Sequence, residues 1–242
     1  MMKFSPSTNQ QHLAAIIKQI PSGFILKSDS EMLQGLKALP EDVDFNQADG
    51  DFNTVLYLAA ANNCSDTIDY LLEVRKVDPN ITVSDGLTAA HIAAMTGNLK
   101  ALQALMKSEQ IELSIQDDFG ETPLFRALGN LAEAKGMDIV SLLIEKDQTA
   151  VLIPNEDNTD PLELALQGKR PGYVEILLDN GAQVSERCRD MSVAMMLERS
   201  KPSPHFGGAN VLFTGDIENA NLRACAKLIT EAYDKQQKGA KP

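Results

Sequence analysis

One phrase recurs along the chain, and its spacing constrains the fold more than any other feature. Thr54-Val55-Leu56-Tyr57-Leu58-Ala59-Ala60 is answered by Thr88-Ala89-Ala90-His91-Ile92-Ala93-Ala94. Thr122-Pro123-Leu124-Phe125-Arg126-Ala127-Leu128 follows, and then Asp160-Pro161-Leu162-Glu163-Leu164-Ala165-Leu166. The threonines stand 34 residues apart and 34 again, and Asp160 comes 38 after Thr122. A fixed period of this size marks stacked supersecondary units, each unable to bury its apolar face alone. Such a stack binds along its length and rarely builds a catalytic pocket.

Each unit follows the same grammar. A turn with Asp85-Gly86 precedes Thr88, and Gly120 precedes Thr122; glycine supplies the positive φ that a tight turn wants. The threonine that follows is placed to cap a first helix by accepting a backbone N–H. Pro123 and Pro161 fall in the first helical turn, where proline is tolerated. Small residues such as Ala59-Ala60 and Ala93-Ala94 let neighbouring helices approach closely, and Gly97 breaks the chain between helices. A second helix then carries a bulky stripe: Ile68, Leu71 and Leu72; Leu99, Leu102 and Leu105; Ile139, Val140, Leu142 and Leu143; Val174, Ile176, Leu177 and Leu178.

The ends are less regular. Leu13, Ile16, Ile17 and Ile20 recur at helical spacing before Pro21-Ser22-Gly23, which predicts an amphipathic capping helix within residues 1–28. Residues 29–46 read as the second half of a degenerate repeat, because Asp44-Phe45-Asn46 matches Asp78-Pro79-Asn80, 34 residues later. Four repeats are expected at about 47–82, 83–116, 117–154 and 155–187. Residues 188–235 form an irregular capping repeat, with helices at Asp190 to Leu197 and Ile217 to Gln236. Between them lies a long loop, 199–215, and 236–242 reads as a tail.

Composition narrows the function classes. The chain has 242 residues, 43% of them hydrophobic, no Trp, and 5% aromatics. That supplies a core of Leu, Ile, Val, Ala and Met, but few rings for stacking on nucleobases. The net charge of −12 repels polyanions, so nucleic acid and anionic membranes are poor partners and a basic protein surface is a better complement. Cys64, Cys188 and Cys225 are far apart without CxxC spacing, and only His12, His91 and His205 accompany them. This argues against a metal site and points to reduced thiols in a cytosolic protein. No signal-peptide core or membrane-length apolar segment is read.

The units resemble a known family. Gly120-x-Thr122-Pro123-Leu124, the paired small residues, Gly97, the run Val174-x-x-Leu177-Leu178 and the closing Gly181-Ala182-Gln183-Val184 are similar to the ankyrin-repeat pattern. The resemblance covers roughly residues 29–235, with its strongest motifs between 49 and 187. It implies an all-α solenoid of stacked helix–turn–helix units with hairpin loops projecting at right angles. It also implies a monomeric, non-catalytic module that binds a protein or peptide and holds no cofactor or metal. For a bacterial source the resemblance implies an adaptor acting inside a host cell. Departures are local: Thr88-Ala89-Ala90-His91 lacks Pro-Leu, and Phe52 replaces a turn glycine. Gly129 to Gly136 reads as a longer inter-helix stretch, and Lys169-Arg170-Pro171 replaces a short turn.

Candidate residues follow from placement. The resemblance implies that His91 bonds backbone groups of its hairpin and of the neighbouring repeat. Asp49 and Asp51, then Ser84 and Asp85, then Asp118 and Glu121, then Glu156 and Asp157 fall at successive hairpins. Two readings stand: an acidic ridge facing a basic partner, or plain turn chemistry. Phe52, Leu87 and Phe119 are apolar at predicted tips; they are either interface anchors or fold back on their own hairpins. Family analogy places Asn62, Met95, Thr96 and Asn130 on the concave side after the first helices. The alternative function is an enzyme or small-ligand binder using 186–215, with Cys188 and Asp190 near a pocket of His205, Phe206 and Phe213.

Overall fold

The computed structural model describes residues 28–48, 53–197 and 212–239, with side chains up to 194 and from 220 in the last two helices. Among the described residues there are eleven α-helices and no strand. α1 (Asp29–Lys37) stands first. Five pairs follow: α2 (Val55–Ala61) with α3 (Ser65–Glu73), α4 (Ala89–Thr96) with α5 (Leu99–Leu105), α6 (Pro123–Asn130) with α7 (Glu133–Lys146), α8 (Pro161–Gln167) with α9 (Pro171–Asp179), and α10 (Glu186–Leu197) with α11 (Leu212–Gly239). The first helices of the pairs contact one another in series, α2 through α10, and so do the second helices, α1 through α11. The result is a two-layer stack.

The repeated phrase does what its chemistry dictates. Thr54, Thr88, Thr122 and Asp160 each adopt extended backbone and accept the N–H of Tyr57, His91, Phe125 and Glu163, which satisfies a helix-start donor that would otherwise be orphaned. Ala59, Ala60, Ala93, Ala94, Ala127 and Ala165 are fully buried between the first helices. Leu71, Leu102, Leu105, Ile139, Leu143 and Leu177, from the second helices, complete the core.

The second helices are capped differently. The residues preceding α3, α5 and α9, namely Cys64, Asn98 and Arg170, make no side-chain cap. For α3 and α5 the preceding unit supplies it. Asp29 accepts the N–H of Asp66 at 2.8 Å and of Thr67 at 3.0 Å, and Asn63 accepts that of Ala101 at 3.0 Å. Bonds also run the other way: Asn98 donates to the carbonyls of Ala60 and Ala61 at 2.9 Å each, and Arg170 donates to that of Leu128. These units complete one another's helix ends.

Three expectations need correction. Gly129 to Gly136 is not a longer inter-helix stretch: α6 and α7 start 34 residues after α4 and α5, and Gly129 and Gly136 lie inside helices. The four residues that stretch the period from 34 to 38 are taken up beyond the start of α7, which has 14 residues where α5 has 7. The helix gains seven residues, about two turns, so its apolar face keeps its direction, and the connection to the next unit is three residues shorter. At the C-terminal end, α11 begins at Leu212, inside the stretch read as a loop, and runs past Gln236 to Gly239. α10 begins at Glu186, four residues before the expected start at Asp190. The expected capping helix on Leu13 to Ile20 lies outside the described residues.

The degenerate half repeat keeps its turn. Asp44 accepts the N–H of Asn46 at 3.0 Å, and Asp78 accepts that of Asn80 at 2.9 Å, 34 residues on. Asn46 in turn accepts from Asp78 N–H, and Asn80 from Glu112 N–H, at 2.9 and 3.0 Å.

Candidate functional site

Three hairpin tips are described, and each is closed by the same backbone bond: Val83 N–H to Leu87 O, Asp117 N–H to Glu121 O, and Asn155 N–H to Thr159 O, at 2.8, 3.0 and 3.0 Å. The tips are also bonded to each other. Asp118 N–H donates to Asp85 O at 3.0 Å and Glu156 N–H to Phe119 O at 3.1 Å. Gly86 and Gly120 sit at φ +72 and +71, and a Cβ on either would strike Asp118 or Glu156 of the next tip. Glycine is therefore required twice over, by backbone conformation and by the closeness of the neighbour. At the last of these tips the equivalent residue is Asn158, at φ 56.

Asp117 organises the middle tip. Its side chain is fully buried. One carboxylate oxygen accepts the N–H of Phe119 at 2.9 Å and of Glu121 at 3.1 Å. The other meets Arg126 Nε at 2.6 Å, and the same nitrogen lies 2.9 Å from Glu121. The Arg126 guanidinium stands over the Phe119 ring, 5.2 Å from its centre, an attractive cation–π arrangement. Phe119 remains 57% exposed. Burial raises Glu121 above the usual carboxylate range, and Arg126 opposes that rise.

His91 links first helix to hairpin, as the resemblance implied. Its Nδ1 accepts the N–H of Thr88 at 3.1 Å and lies 2.8 Å from the Thr88 hydroxyl. With Nδ1 an acceptor, Nε2 carries the proton and donates to Glu121 O of the next unit at 2.9 Å. Burial holds the imidazole below its ordinary value.

The sequence-derived surface residues distribute as follows. Ser84, Asp85, Asp118, Phe119, Glu156 and Asp157 are exposed along the row of tips, while Leu87 and Glu121 are half-buried. Asn62, Met95, Thr96 and Asn130 lie together in register at the C-terminal ends of α2, α4 and α6. The polar groups among them fold back on their own helices: Asn62, Thr96 and Asn130 donate to Leu58 O, Ile92 O and Arg126 O at 2.8, 2.7 and 2.9 Å. Asp49, Asp51 and Phe52 lie outside the described residues, as do His205 and Phe206. Arg126 was missed by sequence reasoning; the available signal was a lone cation on an otherwise apolar first helix.

The chemistry proposed for the irregular end loses its nucleophile. Cys188 is fully buried, and burial pushes its thiol up to about 11. Cys64 and Cys225 are likewise buried and pushed up to about 11. These groups stay protonated at neutral pH, and the thiolate is the nucleophilic form.

Residues 25–117 match the family described as ankyrin repeats (3 copies). Ankyrin repeats are thus shown for this part of the chain, and the same helix-pair unit continues beyond it. Similar proteins include an ankyrin repeat protein of Rickettsia felis, 31% identical over 153 residues, which covers 62% of this chain and 36% of that one. Ankyrin repeat protein nuc-2 of Neurospora crassa is 25% identical over 207 residues, 84% of this chain and 19% of that one. Neurogenic locus notch homolog protein 1 of Xenopus laevis is 33% identical over 127 residues, 52% of this chain and 5% of that one. The chain thus spans about a third of the Rickettsia relative and a smaller share of the others. Ankyrin repeats are, as a class, protein-interaction modules. Among the described residues no helix is long and apolar enough to cross a membrane, and no group of His, Cys, Asp and Glu is arranged to hold a metal.

Proposed function

We propose that this ankyrin array binds a basic protein or peptide through its row of hairpin tips, with the C-terminal ends of the first helices as a second contact. The observation that carries the reading is Phe119, an exposed aromatic fixed on Arg126 in the middle tip. Exposed Asp85, Asp118, Glu156 and Asp157 surround it along the row. Among the described residues none of these four pairs with a cation, whereas Asp117 and Glu121 already share Arg126. Turn chemistry accounts for Asp117, whose carboxylate closes the hairpin from inside. It does not account for Phe119 or for the exposed carboxylates beside it. A desolvated aromatic carries much of an interface's energy, and tips already bonded to one another lose little freedom on binding.

The test compares captured partners of the wild type with those of Asp85→Lys/Asp118→Lys, then titrates the partner that the wild type retains. Phe119→Ala is expected to weaken binding by about 2 kcal/mol. The charge reversals should weaken it further, with circular dichroism unchanged. Equal affinity across these variants rejects the tip row as the binding surface.

A further inference from the structure

Two grooves of the stack correspond in position but differ in occupancy. Between α3 and α5 an opening of about 430 Å³ has Asp69, Leu72 and Glu73 on one wall and Ala104 and Lys107 on the other. Lys107 Nζ reaches Asp69 at 2.6 Å, so the turn that follows α5 supplies a cation to the carboxylate wall. Between α9 and α11 the opening grows to about 600 Å³. Glu175, Leu178 and Asp179 are the fifth, eighth and ninth residues of a nine-residue helix, the places that Asp69, Leu72 and Glu73 hold in α3. Here α11 offers Leu228, Glu231 and Ala232 instead of a bridging lysine.

The charges in this second groove are unbalanced. Among the described residues Glu175 and Asp179 form no ion pair. Glu231 is 3.8 Å from Lys227, its neighbour on the same helix. Lys235 lines one end but bridges none of these carboxylates. The floor is apolar, formed by Leu178, Ala182, Val184, Leu228 and Ala232. Its lip is fixed by a bond from Val184 N–H to Gln236 at 3.2 Å.

We propose that this groove docks a short segment of another protein that carries a lysine or arginine beside an apolar residue. The cation takes the part that Lys107 plays in the first groove. Its aliphatic stem lies along the floor while its head meets Glu175 and Asp179. The apolar neighbour covers Leu178 and Leu228, and the volume suits side chains of this size. The surface is distinct from the hairpin tips, so the proposal stands or falls separately from theirs.

The test is an NMR titration of the ¹⁵N-labelled full chain with a short synthetic peptide of alternating leucine and lysine. A glutamate-for-lysine analogue and a serine-for-leucine analogue serve as comparisons. The leucine–lysine peptide is expected to shift the amides of Leu178, Ala182, Leu228 and Ala232, and the analogues to leave them in place. Glu175→Lys/Asp179→Lys should weaken binding roughly tenfold. The charge-matched Asp138→Lys/Glu145→Lys on α7 should change it by less than about twofold. Ala232→Lys, which fills the groove from within, should abolish the shifts and keeps the test decisive if the α9 variant unfolds. Shifts confined to the tips, equal binding by the serine analogue, or unchanged affinity in both groove variants would overturn the proposal.

Discussion

His91 shows how one side chain serves several levels at once. It completes the capping box of α4 and ties that helix to the next hairpin through Glu121 O. A protonated imidazole would point Nδ1–H at the N–H of Thr88, a donor against a donor. Because burial lowers the folded-state value, the unfolded chain takes up this proton first as pH falls below about 6.5. The stabilisation from His91 is therefore complete above that pH and is lost as pH falls through the folded value. Glu121 and Glu163, whose values are raised by burial, act with the opposite sign at lower pH. The variant that isolates the histidine is His91→Gln, which can keep the capping box but not the titration. In urea melts across a pH series, the stability gap between wild type and His91→Gln should narrow as pH drops below 6.5. A gap that stays constant contradicts the neutral-imidazole assignment. The three buried thiols give a second check: iodoacetamide at neutral pH should leave Cys64, Cys188 and Cys225 unlabelled in the native protein and label them all on unfolding. The place of His91 was readable because it stands inside a repeated phrase. That of Arg126 was not, because its partners Asp117 and Phe119 are brought to it only when the hairpin folds over α6.

At the scale of elements, glycine misled the sequence reading where it serves packing and not chain reversal. Gly136 lies within α7 because any Cβ there would collide with the Tyr173 hydroxyl and with Leu131. The space it leaves lets Tyr173, fully buried on α9, reach the carbonyls of Leu131 and Ala132 at 3.4 Å. Periodicity analysis sees a helix breaker at this position; only the next unit explains it. Gly136→Ala should destabilise by about 1–3 kcal/mol through overpacking. Tyr173→Phe in the same chain should restore part of that loss, a non-additive result expected for groups in contact. Strict additivity in urea melts would show that the two do not meet. Capping across units makes a parallel prediction: Asp29→Ala removes the side-chain cap that α3 receives from α1 and should cost about 1–2 kcal/mol.

At the scale of the molecule, the regular middle was legible because its period repeats, and the ends were not because periodicity fades there. Nothing in residues 186–239 announced that α11 would run for 28 residues or that its junction with α9 would leave a groove without a bridging lysine. That groove depends on which side chains α11 fails to supply, so it needed the assembled stack to be seen. The three described tips stand in a row, as the period and the family resemblance together implied, but the bonds that join them were not readable, since they are made by backbone atoms that carry no sequence signature. Those bonds underlie the main claim, that the tips form one rigid ridge and not a set of independent loops. Gly120→Ala should disturb the ridge locally, because the added Cβ meets the backbone of Glu156.

Native-state hydrogen exchange measures this directly. The amides of Asp118 and Glu156 sit on exposed residues yet are bonded to the neighbouring tip. They are expected to exchange far more slowly than the amide of Asp157 beside them, and Gly120→Ala should release Glu156 while leaving Asp118 protected. Rapid exchange at Asp118 and Glu156 in the wild type would contradict the rigid ridge.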